Sequence, residues 1–137
     1  MFLMSVEPRF SETDALGHIN NTVLPVWFEQ ARTPIFKMFT PSLAIDEWEL
    51  ILAKIDVSFL KQIYYGKAVE VKTFIQSIGN SSFVVYHQAW QENVKVADGT
   101  AVMVHFDHET QKTKQLPADI KKYLQEHLFE AEKSTSS

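Results

Sequence analysis

Apolar and polar positions change rhythm twice along the chain. Between Thr22 and Phe39 the apolar residues recur at helical spacing. Val23, Trp27, Ala31, Ile35 and Met38 form one stripe, which Leu24 and Phe28 widen. A stripe that broad predicts a helix covered on most of its sides. Asn20, Asn21 or Thr22 can cap its free N–H groups. Pro25 falls in the first turn, where a missing N–H costs little. Pro34 predicts a kink, or a new turn capped by Thr33. The helix is expected to end near residues 39–42.

From Trp48 the period becomes two. Ile51, Ala53, Ile55, Val57 and Phe59 alternate with Leu52, Lys54, Asp56 and Ser58, the pattern of a half-buried strand. A turn at Gly66 leads to a strand carrying Val69, Val71, Thr73 and Ile75, which stops at residues 79–82. The segment 83–91 is a third strand. Glu92–Asn93 turns into a fourth, Val94 to Phe106, with a bulge expected at 97–99. Short turns of this kind give antiparallel hairpins. Residues 2–10 read as a first strand. Leu116–Pro117 opens a last helix with Ile120, Tyr123, Leu124 and Leu128 on one face. Residues 1–129 read as one domain and 130–137 as a disordered tail.

Strand, long helix, then about four long strands is an α+β order. A helix of roughly 17 residues spans about 25 Å. A strand of roughly eight to ten residues spans about the same length. A curved antiparallel sheet can therefore wrap one helix in two layers.

Composition narrows the partners. The chain has 137 residues, 45% apolar and 22% charged, which suits a globular domain with a real core. Its net charge of -4, with no basic stripe, disfavours nucleic acid. The absence of cysteine removes disulfides, thiolate metal sites and a cysteine nucleophile, and suits a reducing compartment. The start lacks the basic segment of a signal peptide, and no apolar run is long enough to span a bilayer. A cytoplasmic protein is expected.

The chemistry concentrates in "SETDALGHINN", residues 11–21, ahead of the apolar helix. Each residue has a bland role: Asp14 closes an Asx turn, Asn20 and Asn21 cap, Gly17 turns the chain and His18 packs. The same residues can also do chemistry. A carboxylate can attack an acyl carbon or activate water, and free N–H groups at a helix start can polarise a carbonyl. Glu29 and Arg32, three apart, read as an ion pair. His105, Asp107 and His108 offer no third ligand at metal spacing, so no metal is expected. No Gly-x-Ser-x-Gly elbow is present.

"TDALGHINN" followed by "FEQAR" resembles the signature loop and helix of the hotdog-fold acyl-CoA thioesterases, the 4-hydroxybenzoyl-CoA thioesterase family. "YYGKAVEV", "IGNSSFVV" and "TKQLPADIKKYL" extend the resemblance over residues 5–128. It implies a hotdog fold of about five strands around the helix, with a short C-terminal helix. It implies a homodimer joined edge to edge, often paired into a homotetramer, with the site at the dimer interface. The substrate is an acyl-CoA, so coenzyme A enters as substrate and no further cofactor is implied.

By position, Asp14 becomes the nucleophile or general base and the N–H near Asn21 the carbonyl donor, with Gly17 and His18 beside them. Asn20 and Glu29 fall on the substrate side. Lys61, Lys67 and the Ser81–Ser82 turn are candidates for the coenzyme A arm and phosphates. The chain departs from the family in lacking an aromatic at Leu24 and a proline at Gln62, and in carrying Pro25 and Pro34. A non-catalytic module that binds acyl-CoA or an acyl carrier is the alternative.

Overall fold

The computed structural model describes residues 1–130; residues 131–137, most of the expected tail, lie outside the described residues. The strands are Phe2–Val6 (β1), Leu50–Phe59 (β2), Val69–Ile78 (β3), Ser82–Gln91 (β4), Val94–Asp107 (β5) and the short Lys112–Thr113 (β6). They lie in the order β1-β3-β4-β5-β2, with β6 on β5, and every strand pair is antiparallel. A 3-10 turn, Asn21–Val23, runs into Leu24–Ala31 (α1) and then Thr33–Phe39 (α2). The sheet curls around this composite helix, and Ala118–Gln125 (α3) follows the last strand.

The helix breaks because Pro34 has no N–H to offer Gln30. The Arg32 N–H turns to the Glu29 carbonyl at 3.0 Å, and Ile35 N–H donates to the Arg32 carbonyl at 2.9 Å. Arg32, not Thr33, holds the cap position, and no side chain caps the restart. Both prolines sit in a first turn, where φ near −65° suits a helix.

Five expectations shift. The turn at Gly66 closes no hairpin, because β2 pairs with β5 while β3 pairs with β1 and β4. β1 stops at Val6, because Pro8 and a 3-10 turn at Phe10–Glu12 leave the strand. The alternation in β2 changes phase at Ala53. Leu50 and Leu52 face the same side as His105 and Met103, and after the bulge Ile55, Val57 and Phe59 face with Ala101, Gly99 and Ala97. These β2 side chains stay largely exposed beyond Leu50, because β2 is the sheet edge. In β5 the extra residue is Val96, opposite the Ala89–Trp90 step, rather than the 97–99 stretch. α3 begins at Ala118, and of its expected apolar face Leu124 is buried while Tyr123 and Leu128 are exposed. Leu128 instead bridges to Ile75 as the chain runs beside β3 past the end of β1.

Two apolar clusters fill the space under the sheet. One gathers Leu24, Trp27, Phe28 and Ala31 against Val71, Ala89 and Ala97. The other gathers Ile35 and Phe39 against Ile75, Phe83, Val85 and Leu124. Between Val71 and Ile75 lies Thr73, and its cross-strand neighbour is His87. The His87 Nε2 sits 3.3 Å from Arg32 Nη1, and its Nδ1 lies 3.0 Å from Thr73 Oγ1. Arginine only donates, so Nε2 accepts and Nδ1 carries the proton toward Thr73. Phe28 stacks on the imidazole at 4.8 Å.

Gly99 has a steric reason. A Cβ there would stand 2.3 Å from the Asp56 carbonyl oxygen of β2. Gly99→Ala is expected to pry β2 from β5 and cost about 1–3 kcal/mol, read as a lower midpoint in urea unfolding.

His87 sets an acid limit. Burial, and then the Arg32 charge, lower its pKa to about 3. The unfolded chain takes up that proton below about pH 6.5, while the folded chain does not until about pH 3. Its contribution is therefore complete above pH 6.5 and is lost as the pH falls. At pH 5 the loss is about 2 kcal/mol. Urea unfolding at pH 7 and pH 5 should show that extra loss in the natural chain and not in His87→Gln.

Candidate active site

Residues 12–20 form a small hairpin ahead of the helix. Asp14 N–H donates to the His18 carbonyl at 2.7 Å and Asn20 N–H to the Glu12 carbonyl at 2.8 Å. The returning limb leans on the chain before β3, where Ile19 N–H donates to the Ile63 carbonyl at 2.8 Å. At the tip, Asp14 Oδ1 accepts from Leu16 N–H at 2.8 Å and His18 N–H at 3.1 Å. The Asx-turn role of Asp14 is thus real, and it uses one oxygen. Oδ2 takes none of these bonds, and Asp14 is exposed. Gly17 holds φ +81°, a left-handed conformation that a side chain strains.

Asn20 is the helix cap. Its Oδ1 accepts from Thr22 N–H and Thr22 Oγ1, both at 3.0 Å. Val23 N–H is taken by the Asn20 carbonyl at 3.0 Å. The first helical N–H, that of Asn21, has no acceptor among the described residues. Asn21 lines an open cleft of about 500 Å³ with Leu24, Phe59 and Lys61. The His18 ring packs edge-on against Tyr64 at 5.3 Å.

The remaining candidates lie apart in one chain. Glu29 is exposed and lines a second cavity, about 470 Å³, with Arg32, Trp48, Leu50 and Leu52. The expected Glu29–Arg32 ion pair is not formed among the described residues, because Arg32 turns inward to His87 and is 3% exposed. Burial lowers the pKa of that guanidinium and the Glu29 charge partly offsets this, so the two groups interact only at a distance. Lys67 pairs with Glu92 at 2.9 Å. Ser81 and Ser82 sit at the far end of the sheet: Ser82 faces Val104 on β5, whereas Phe59, beside the cleft, faces Ala97. Seven residues of strand separate those positions, about 23 Å.

His105 is buried and Asp107 accepts from Glu109 N–H at 2.9 Å. Among the described residues, no group of three His, Cys, Asp or Glu side chains is placed to hold a metal ion. No described helix is long and apolar enough to cross a membrane.

One residue escaped the sequence reading. Glu12 is buried against α1, where its Oε2 accepts from Trp27 Nε1 at 3.0 Å. An acid two positions before Asp14 is visible in the sequence. Its partner, 15 residues away, is not.

Comparison with known proteins agrees with the geometry. Residues 8–124 match the Thioesterase-like superfamily. A predicted thioesterase from Bacillus stearothermophilus is 42% identical, covers 96% of this chain and 98% of its own, and superposes with a TM-score of 0.91. A thioesterase from Thermus thermophilus, solved with coenzyme A and Zn, is 28% identical over 90% of this chain and 96% of its own, at a TM-score of 0.80. The uncharacterized protein YsmA of Bacillus subtilis (strain 168) is 27% identical over 112 residues, 81% of this chain and 76% of that protein. A curled sheet around a central helix, with an unpaired N–H at the helix start beside an acidic hairpin, is thus the form taken here by a hotdog-fold member of the thioesterase-like superfamily.

Proposed function

We propose that this chain hydrolyses the thioester of an acyl-CoA to a free acid and coenzyme A. The observation that carries the reading is the free Asn21 N–H at the cleft wall, one helix start away from the hairpin that holds Asp14. The carbonyl oxygen of the thioester takes the Asn21 N–H, where the positive end of the helix favours growing negative charge. The Asp14 carboxylate acts at the carbonyl carbon through Oδ2, by direct attack or by taking a proton from water. The C–S bond breaks and the thiolate of coenzyme A leaves. In the direct route water then opens the mixed anhydride, which returns the free acid. The cysteine-free chain suits work in the cytoplasm.

Two chains complete the site in this reading. β2 pairs with β5 on one side and with no described strand on the other, and it exposes Leu52, Ile55 and Phe59. An edge of that kind is a template for a second copy. Antiparallel pairing of two β2 edges sets the Phe59 end of one protomer beside the Leu50 end of its partner. The Glu29 cavity and the Ser81–Ser82 turn, remote from Asn21 in one chain, then approach the cleft of the other. A homodimer is therefore the proposed working unit, and two dimers can pair into a homotetramer.

Asp14→Asn is expected to lower kcat by about 10²–10⁴-fold on whichever acyl-CoA the enzyme turns over fastest. The amide oxygen still accepts from Leu16 and His18, so the melting temperature should stay within about 2 °C. Release of free thiol from short, long and aryl acyl-CoAs checks both. Binding of coenzyme A with no turnover, unaffected by Asp14→Asn, would establish the non-catalytic module instead. Ile55→Asp sets like charges near the two-fold axis. It should give a monomer in sedimentation velocity and lower kcat/KM by about 100-fold.

A further inference from the structure

We propose that Glu12 is a positioning residue, which fixes the Asp14 hairpin to the underside of α1 through the indole of Trp27. The proposal rests on the reading of Asp14 as the catalytic carboxylate.

The returning limb is held at His18 and Ile19 by the chain before β3, and the outgoing limb, which carries Asp14, has less to hold it. From Thr13 to Asn20 only Ile19 is buried, and Ala15, Leu16 and Gly17 at the tip are exposed. A loop with so few apolar contacts drifts unless polar groups tie it down. Glu12, at the foot of the hairpin, is the one acidic residue among the buried polar groups described. Its Oε1 accepts the Arg9 N–H at 2.8 Å, and its Oε2 accepts the Trp27 indole N–H at 3.0 Å. The Arg9 guanidinium lies 3.5 Å from Oε2. The Glu12 carbonyl meanwhile receives the Asn20 N–H at 2.8 Å, which closes the foot.

One residue thus touches the limb that leads to Asp14, the limb that leads to Asn21, and the helix that carries the Asn21 N–H. Trp27 is 3% exposed and belongs to the core cluster, so the far end of this link is rigid. The carboxylate is ionised. Burial alone would raise its pKa, but the Arg9 N–H, the Trp27 indole and the Arg9 guanidinium together bring it below the ordinary value. Fixing the loop this way sets the spacing between the carboxylate and the N–H donor without touching substrate. An error of about 1 Å in such a spacing costs about 10²-fold in rate.

The test pairs Glu12→Gln with Trp27→Phe, assayed on the acyl-CoA turned over fastest, with Asp14→Asn beside them. A glutamine at 12 must turn its NH₂ toward either Arg9 or the indole, so one donor loses its acceptor. Phenylalanine at 27 keeps a ring in the core and removes the indole donor.

The expected result is a fall in kcat of about 10–100-fold for Glu12→Gln and about 10-fold for Trp27→Phe, with KM within about threefold of the natural chain. The double variant should be no slower than Glu12→Gln, because both break one link. If Glu12→Gln does not fold, Trp27→Phe and its kcat–KM split carry the test alone. Natural kcat in folded Trp27→Phe and Glu12→Gln, while Asp14→Asn is inactive, overturns the positioning role and leaves the catalytic reading standing. Losses that follow the melting temperature or KM alone also overturn it. Full turnover by Asp14→Asn overturns both.

Discussion

An apolar helix of residues 21–39 has to be covered, and one sheet can cover it only by curling. The curl supplies the core, where Ile35, Val85 and Leu124 are fully enclosed. It also runs out in two places. Along β2 the sheet has no further strand among the described residues, and Leu52, Ile55 and Phe59 face the helix side without being covered. At the helix start the cover ends between Leu24, which is buried, and Asn21, which is exposed. The proposed chemistry occupies the second gap and the proposed partner the first. Both follow from the same shortage of sheet.

The helix start shows why capping and the proposed catalysis do not compete. A helix leaves its first N–H groups without intrahelical acceptors. Asn20 satisfies two of them, one through its side chain and one through its carbonyl, and the Asn21 N–H remains. A better cap would close that donor, and no cap would leave the turn frayed. Asp14 divides its work in the same way, with one oxygen in the turn and one open. Gly17 and His18 serve this arrangement as parts of the frame, one by its φ and the other by its packing on Tyr64.

The sequence was most legible where the proposed site and local structure coincide. The run from Asp14 to Asn21 is short, and its turn, cap and helix start all follow from neighbours a few residues apart. The strands were legible by period, and the β3–β4 and β4–β5 hairpins by the turns between them; the place of β2 was not, since the turn at Gly66 closes no hairpin and β2 pairs with β5 instead. The phase change at Ala53 was not, since an inserted residue leaves both halves of β2 alternating and only β5 reveals the slip. Arg32 was misread for a related reason. Its spacing from Glu29 is local and suggests a pair, but its partner is His87, 55 residues away on β4. Glu12 was passed over because its meaning lies in Trp27, not in its neighbours. What the chain does not disclose is contact at long separation between polar groups, since no periodicity encodes it.

Arg32 raises the question of why a core should hold a cation with no carboxylate beside it. Burial disfavours its charge, and its Nε has no partner among the described residues. Two features of the fold offset that cost. The Glu29 charge acts on the guanidinium from a distance and favours its ionised form. A neutral imidazole lies where an acceptor is needed, its Nε2 toward Arg32 and its Nδ1–H toward the Thr73 hydroxyl. The same stretch holds the helix break at Pro34 and the gap between the two apolar clusters. A straight, wholly apolar helix would make that gap a continuous greasy seam, along which helix and sheet could slide by a turn. The bond from Arg32 to His87 crosses that gap and ties the helix break to β4 by a directional contact that apolar packing does not supply.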